Sequence, residues 1–225
     1  PERIRLIPRG IDPDVFDPHT ALGFRVAKLA TAWTLPEHAR VVLLPARVSR
    51  WKGQSVLIEA LGQLQRPDVC AVFVGSDQGR QAYVRSLLDQ ANALGVTSQI
   101  KLVGHCADMP AALMLAEVVV SASTEPEAFG RAVIEAQAME RVVIAANHGG
   151  AAETVTQGET GILVPPGDAQ ALAEALAATL HASEAERSAM GKRARASVLE
   201  HYTIGVLQGS TLGVYEEVLA RGRRG

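Results

Sequence analysis

Short apolar runs alternate with longer segments of helical spacing through most of the chain. The runs are rich in Val, Ile and Leu with little polar alternation, which predicts strands that are covered on both faces. They are Val41–Pro45, Ala71–Val74, Ile100–Val103, Val118–Ser121, Val142–Ala145 and Gly161–Val164. The segments between them have the apolar spacing of helices: Gly53–Gln65, Gln78–Leu94, Met109–Ala116 and Gly130–Glu140. Alternating strands and helices predict right-handed crossovers and a doubly wound, parallel, Rossmann-like α/β sheet.

The two ends of the chain depart from this alternation. Pro1 to Ile7 predicts a further strand entering the fold, and no element is assigned to Ala151–Thr156. After the last strand, Asp168 is a good N-cap for a helical tail without strands. The tail helices are predicted at Ala169–His181, Ala185–Glu200 and Val206–Arg221. We therefore divide the chain into a sheet domain over 1–200 and a C-terminal helix over 201–225 that reaches toward another domain.

Composition limits the classes of function. The chain has 225 residues, 48% of them hydrophobic and 20% charged, as in one globular domain with a full core. A net charge of −2 and an aromatic content of 4% argue against a nucleic-acid partner. Cys70 and Cys106 lie in or beside apolar runs, which favours buried free thiols in a reducing, cytoplasmic compartment over a disulfide. No apolar run approaches the ~18 residues of a membrane span, and with no initial Met the chain is expected to be part of a longer protein.

A basic loop follows the first predicted strand. Arg47, Arg50 and Lys52 lie within six positions and lead into Gly53 and a helix start. Arginine donors, a mobile lysine charge and helix amide groups together can surround a diphosphate. A solvated basic loop is the alternative interpretation.

Glycines follow three other strands, at the sheet edge where ligands of doubly wound folds bind. Main-chain groups near Gly104 and His105 can contact a nucleotide base, although a lone histidine at a strand end is usually structural. Gly149 and Gly150 free the backbone to approach a ligand, with a flexible turn as the alternative. Gly75 is consistent with an ordinary turn.

Two acidic residues follow the fourth strand. Glu127 lies at the mouth of a predicted helix, and Glu135 lies in its second turn. A mouth carboxylate can accept hydrogen bonds from sugar hydroxyls, and the second can accept two from a ribose. Amide groups of Phe129 to Arg131 can face an anion. Alternatively, the glutamates favour the helix N-terminus, and Arg131 and Glu135 are an ordinary surface pair worth about 0.3–0.5 kcal/mol.

Taken together, these loops resemble the C-terminal domain of the retaining glycosyltransferases of family 4, which have the two-domain GT-B architecture. The resemblance is carried, in order along nearly the whole chain, by five motifs: Ile7-Pro8-Arg9-Gly10-Ile11-Asp12, Arg47…Lys52-Gly53, Glu127-Ala128-Phe129-Gly130-(x)4-Glu135-Ala136, Gly149-Gly150-(x)2-Glu153 and Gly158-x-x-Gly161-Ile162-Leu163-Val164. It implies a C-terminal half of a GT-B fold that binds a nucleoside-diphosphate sugar and takes part in polysaccharide or glycolipid synthesis.

The resemblance also implies a role for each residue. Arg47 and Lys52 would bind the diphosphate and stabilise the leaving group, as the catalytic cations. Glu127 would bind the hydroxyls of the transferred sugar, and Glu135 the ribose. The donor site would be completed by main-chain groups and side chains of Gly104, His105, Phe129, Gly130, Arg131, Gly149 and Gly150. No metal or other cofactor is implied. A sugar or lipid-linked acceptor would bind mainly to an N-terminal domain, with at most peripheral contact with the inner face of the membrane.

The sequence departs from the family pattern near the fifth strand. Glu140 and Val142 stand where the family has Gly-x-Pro, so an easy left-handed helix end is lost. Arg131 stands where the family often has an apolar residue, and it can add a contact to phosphate or acceptor.

Two other functions remain open at this point: a GT-B nucleotide-sugar epimerase and a non-catalytic nucleotide or small-ligand binding module. Alone, this chain is expected to bind nucleoside diphosphate weakly and to transfer sugar poorly or not at all, because the closing half of the cleft lies elsewhere.

Overall fold

A computed structural model describes residues 4–20 and 23–222, which form one sheet of six parallel strands with helices on both faces. The strands are β1 Arg40–Pro45, β2 Val69–Val74, β3 Ile100–Gly104, β4 Val118–Ser121, β5 Val142–Ala146 and β6 Ile162–Val164. The helices are α1 Gly23–Ala32, α2 Gln54–Leu64, α3 Gln81–Ala93, α4 Met109–Leu115, α5 Arg131–Ala138, α6 Gly149–Thr154, α7 Ala169–His181, α8 Glu184–His201 and α9 Ile204–Gly222. The predicted doubly wound sheet is confirmed.

The strand order is β3-β2-β1-β4-β5-β6, so the direction of winding reverses between β1 and β4. β1 pairs with β2 along its whole length, whereas its pairing with β4 covers Val42↔Val118 and Leu43↔Val119. The carboxyl ends of β1 and β4 therefore extend beyond the last residues at which these two strands pair with each other. A crevice at this reversal is where doubly wound folds bind their ligands.

The core has two layers because successive strand residues point to opposite faces of the sheet. Val42 and Leu44 of β1 belong to the cluster that α2, α3 and α7 complete, whereas Leu43 belongs to the cluster with α4, α5 and α8. All three side chains are at most 1% exposed. Burial of one such side chain contributes about 1.5–3 kcal/mol. Packing on both faces therefore stabilises the strands whose carboxyl ends carry the loops of interest.

The predicted elements agree with the structure to within a few residues at their ends, and the helix Ala169–His181 has the predicted bounds. The strand predicted at Pro1 to Ile7 is wrong over residues 4–7, which have no regular structure; residues 1–3 lie outside the described residues. Ile4 and Leu6 are 76% and 85% exposed, so their apolar character does not reflect a buried strand. The segment joins the fold later, where Ile11 bridges Thr203.

Two helices were not predicted. α1 buries no residue completely and is held by Arg25, whose Nε donates to Asp108 Oδ2 at 2.8 Å. Asp108 also caps α4, and the Arg25 guanidinium lowers the pKa of this carboxyl. α6 begins at Gly149, two residues before the segment to which no element was assigned. Both helices depend on contacts with distant parts of the chain.

The C-terminal helices are of two kinds. α8 begins with a capping box between Ser183 and Glu186 and packs against α5. On α9, a run of apolar side chains is 60–64% exposed: Leu212, Tyr215, Val218 and Leu219. Among residues 4–20 and 23–222, no helix combines the length and apolar character needed to cross a bilayer.

The two cysteines are free thiols buried in the fold, as predicted. Cys70 and Cys106 are free and buried, at 2% and 8% exposure. Burial raises the pKa of both thiols, which keeps them in the unreactive protonated form.

Candidate functional site

The basic loop after β1 lies directly against the end of β4. Arg50–Lys52 form a single 3₁₀ turn, and Gly53 follows with φ +75°. A Cβ atom on Gly53 would lie 1.9 Å from the carbonyl oxygen of Ala122, which is just beyond β4. The loop is tied to the same segment by the amide of Thr124, which donates to Trp51 O at 2.8 Å. Glycine is therefore required for the close approach of two loops at the winding reversal.

Two of the predicted site residues meet at this contact. Lys52 Nζ lies 2.6 Å from Glu127 Oε2, and the two side chains are 13% and 21% exposed. The other carboxylate oxygen of Glu127 accepts a hydrogen bond from the hydroxyl of Ser123. The ammonium group also lies 4.1 Å from the centroid of the Trp51 ring. A charge pair shielded by protein on several sides is thus placed at the crevice.

Arg47 lies at the start of the same loop and is exposed. Its carbonyl accepts a hydrogen bond of 2.9 Å from Nε2 of Gln54, a side chain that is 0% exposed. The first residue of α2 therefore anchors the loop that carries Arg47. The anchor acts through the main-chain carbonyl of Arg47 and not through its guanidinium group.

Helix α5 places the second predicted carboxylate. Gly130 caps the helix in a left-handed conformation with φ +73°, and Arg131 is its first residue. Arg131 Nη2 lies 3.1 Å from Glu135 Oε1, with side-chain exposures of 66% and 14%. Burial raises the pKa of the Glu135 carboxyl, and the charge of Arg131 opposes this shift. A largely desolvated carboxylate one turn inside the helix is well suited to accept hydroxyl donors.

The loop after β5 packs on the loop after β4 through the glycine pair. A Cβ on Gly149 would lie 2.4 Å from Glu127 O, and one on Gly150 would lie 2.3 Å from Phe129 O. The Gly150 amide donates to Glu127 O at 2.8 Å. In the structure these glycines allow backbone to approach backbone, which holds the segment that carries Glu127.

His148 adds a second link between these loops. Its Nε2 lies 2.8 Å from Ser123 O, so this ring nitrogen carries the proton and donates. Together with Glu127 and Gly130, Ser123 and His148 line a small pocket at the carboxyl ends of β4 and β5. The ring of Phe129 points elsewhere, toward Tyr202, with the ring centroids 5.9 Å apart.

A separate open pocket of about 350 Å³ lies at the carboxyl ends of β2 and β3. Its lining includes Gly104 and His105, together with Val48, Gly75 and Ser76. Gly104 has φ +72° and open space where a Cβ would be, and its carbonyl accepts a hydrogen bond from the Gly75 amide at 2.7 Å. The half-buried main chain of Gly104 and the exposed side chain of His105 thus border a volume large enough for a flat ring system.

Sequence reasoning did not select Ser123, His148 or Gln54 as site residues. Ser123 and His148 belong to loops that were predicted to matter, and their position directly after β4 and β5 is a usable signal. No sequence pattern marks Gln54, whose role follows from complete burial beneath the basic loop. At the departure after α5, Glu140 keeps the left-handed conformation without a glycine, at φ +56°.

Most of the chain is similar in sequence to known proteins. Residues 27–197 match the family described as glycosyl transferases group 1. D-inositol 3-phosphate glycosyltransferase of Corynebacterium glutamicum is 32% identical over 200 residues, which cover 86% of this chain and 47% of that protein. The chain therefore spans about half the length of the relatives that it matches.

Solved protein structures share the fold of this chain. The structure of a glycosyltransferase from Rickettsia africae matches with a TM-score of 0.94 and 31% identity, covering 97% of this chain and 58% of that one. Anabaena Alr3699/HepE in complex with UDP and glucose matches with a TM-score of 0.86 and 30% identity, covering 94% and 56%.

Proposed function

The chain belongs to the family of glycosyl transferases group 1, and from this premise we propose that it is the donor-binding domain of a retaining, family 4 glycosyltransferase. Its sheet has the Rossmann-like arrangement of GT-B glycosyltransferases. The observation that carries the proposal is the Lys52–Glu127 contact of 2.6 Å at the winding reversal, because it joins a cationic loop and an acidic loop in one crevice. A donor with a diphosphate and a sugar needs both.

The cations act on the diphosphate. When the bond between the anomeric carbon and the phosphate oxygen breaks, the bonding electron pair leaves with the nucleoside diphosphate. Arg47 and Lys52 stabilise this growing negative charge, which is how fixed charges lower a barrier. The acceptor oxygen forms the new bond to the anomeric carbon, and its proton is released to the leaving phosphate or to water. Because the side chains supply the positive charge, no metal is required.

The acidic residues bind hydroxyl groups. Glu135, 14% exposed on α5, accepts hydrogen bonds from the ribose, while Glu127 accepts them from the transferred sugar. Arg131 accompanies Glu135 at the mouth of the helix. The pocket beside Gly104 and His105 takes the base. The Anabaena protein, described as a complex with UDP and glucose, supports a nucleotide-sugar donor for this chain.

The acceptor, a sugar or a lipid-linked sugar, binds to an N-terminal domain in the complete enzyme. Two observations support this partner: the chain spans about half of its relatives, and α9 exposes an apolar row that includes Leu212 and Tyr215. The enzyme works in the cytoplasm, with at most peripheral contact with the membrane.

The proposal is tested by titrating the 225-residue chain with UDP, GDP and ADP and following the amide resonances by NMR. We expect weak binding of at least one nucleotide that EDTA does not change. Arg47→Ala and Lys52→Ala should each weaken it at least about tenfold, the lower end for a hydrogen bond to a charged group. Lys192→Ala, on exposed α8 surface, is the control.

The absence of binding to all three nucleotides at millimolar concentration would contradict the proposal. Retention is tested separately in the protein that includes an N-terminal domain, where NMR of the product should show the anomeric configuration of the donor. An inverted product, or a rearranged donor without transfer, would reject the retaining transferase.

A further inference from the structure

The two carboxylate oxygens of Glu127 have different partners. Oε2 is paired with the ammonium group of Lys52 at 2.6 Å, and Oε1 accepts the hydroxyl of Ser123. Lysine is a mobile point charge on a flexible four-carbon stem, whereas a serine hydroxyl has one side-chain torsion and its own rotation. The partner of Oε2, the Lys52 ammonium group, can therefore move away over several ångströms' length of its side chain, whereas the partner of Oε1, the Ser123 hydroxyl, stays close to its own backbone.

The backbone around Ser123 is fixed from several sides. Ser123 is 4% exposed, and its carbonyl accepts a hydrogen bond of 2.8 Å from His148 Nε2. The carbonyl of Glu127 accepts a 2.8 Å hydrogen bond from the amide of Gly150. The main chains of Ser123 and Glu127 are therefore both held by the loop after β5.

A bound diphosphate would compete with Glu127 for the ammonium group of Lys52. If Lys52 turns toward the phosphates, Oε2 loses its cation and becomes free to accept hydroxyl donors. Without a second restraint the carboxylate would then rotate about its side-chain bonds, and this freedom would have to be lost again when the sugar binds. The hydroxyl of Ser123 supplies that restraint at Oε1.

We propose that Ser123 is a positioning residue, which keeps Glu127 aimed at the sugar hydroxyls of the donor when Lys52 turns to the diphosphate. This inference rests on the proposed function, since it assigns the sugar to Glu127 and the diphosphate to Lys52. Two results are expected. Ser123 contributes to binding of the sugar, and this contribution depends on Glu127.

The experiment compares each nucleotide with its sugar-bearing form. Dissociation constants of the 225-residue chain are measured by NMR titration for UDP and UDP-glucose, GDP and GDP-mannose, and ADP and ADP-glucose. For the pair that binds, Ser123→Ala should weaken the nucleotide sugar about tenfold and the free nucleotide less than about twofold. Ser123→Ala should have no further effect in the Glu127→Ala background, as a double-mutant cycle requires for residues acting as one unit.

The matched control is Thr179→Val, which removes another buried hydroxyl, 5% exposed on α7 and bonded to Ala175 O at 2.7 Å. It should leave both affinities unchanged. If Ser123→Ala weakens the nucleotide and the nucleotide sugar equally, or weakens neither, Ser123 is merely structural and the inference is overturned. If the unaltered chain binds no member of any pair, the proposed function itself fails, and the inference falls with it.

Discussion

Replacement of Gly53 by alanine tests whether the crevice depends on the contact between the two loops. Gly53 has φ +75°, where an L-residue costs about 1–2 kcal/mol. Its new Cβ would lie 1.9 Å from Ala122 O, so the backbone must move by about 1.1 Å to reach the 3.0 Å that real Cβ contacts keep. Backbone shifts of this kind cost about 1–3 kcal/mol. Gly53→Ala should therefore lose about 2–5 kcal/mol of unfolding free energy in total.

The assay uses Gly95→Ala as its control, because Gly95 has a similar φ of +72° but nothing within 4 Å of the new Cβ. That variant should lose about 1–2 kcal/mol. At about 2–4 °C per kcal/mol for a chain of this size, thermal unfolding should show a drop in Tm of roughly 4–20 °C for Gly53→Ala and roughly 2–8 °C for Gly95→Ala.

The two variants should also differ in their affinity for nucleoside diphosphate. At a temperature where both are folded, Gly53→Ala should bind nucleoside diphosphate more weakly, since Lys52 and Glu127 are no longer held in register, whereas Gly95→Ala should bind like the unaltered chain. The reasoning is refuted if the two variants lose the same stability, or if Gly53→Ala retains full affinity.

Two further substitutions in and after α5 test the local energetics. Glu140→Gly should raise Tm by a few degrees, which corresponds to about 0.5–1 kcal/mol of unfolding free energy, because Glu140 is held at φ +56°. Glu140→Ala keeps the Cβ and should therefore give no gain. Equal effects of the two substitutions on Tm would contradict this cause. Burial raises the folded-state pKa of Glu135, so its ionised form costs stability above that pKa and nothing below the ordinary value of 4.5. Urea unfolding should accordingly show Glu135→Gln more stable than the unaltered chain at pH 7, with a difference that shrinks as the pH falls through the raised pKa of Glu135 toward 4.5 and is absent below 4.5. A difference independent of pH would exclude this origin.

Much of the fold follows from local pattern. The apolar runs predict all six strands, since a strand buried on both faces must be apolar along its length, and good caps such as Asp168 mark helix starts. The parallel arrangement then requires that the loops after the strands share one edge of the sheet. For this reason the positions of Lys52 and Glu127 near the same edge could be expected before any coordinates were known.

What local pattern could not supply depends on contacts between distant segments. The exposed Ile4 and Leu6 have the residue types of a strand, yet none of the strands within residues 4–20 and 23–222 pairs with residues 4–7. Helix α1 is held by the pairing of Arg25 with Asp108, which a pattern within ten residues cannot reveal. In both cases tertiary pairing, and not local preference, decides whether the element forms.

The same distinction applies to the candidate site. Residue types and order along the chain were enough to select Lys52, Glu127 and Glu135, because charge, side-chain length and place after a strand are properties of the sequence. Which oxygen of Glu127 meets Lys52 and which meets Ser123 was decided only by folding, since hydrogen bonds act over about 3 Å and need defined angles. Such distances exist only once the two layers of core have fixed the strand ends relative to one another.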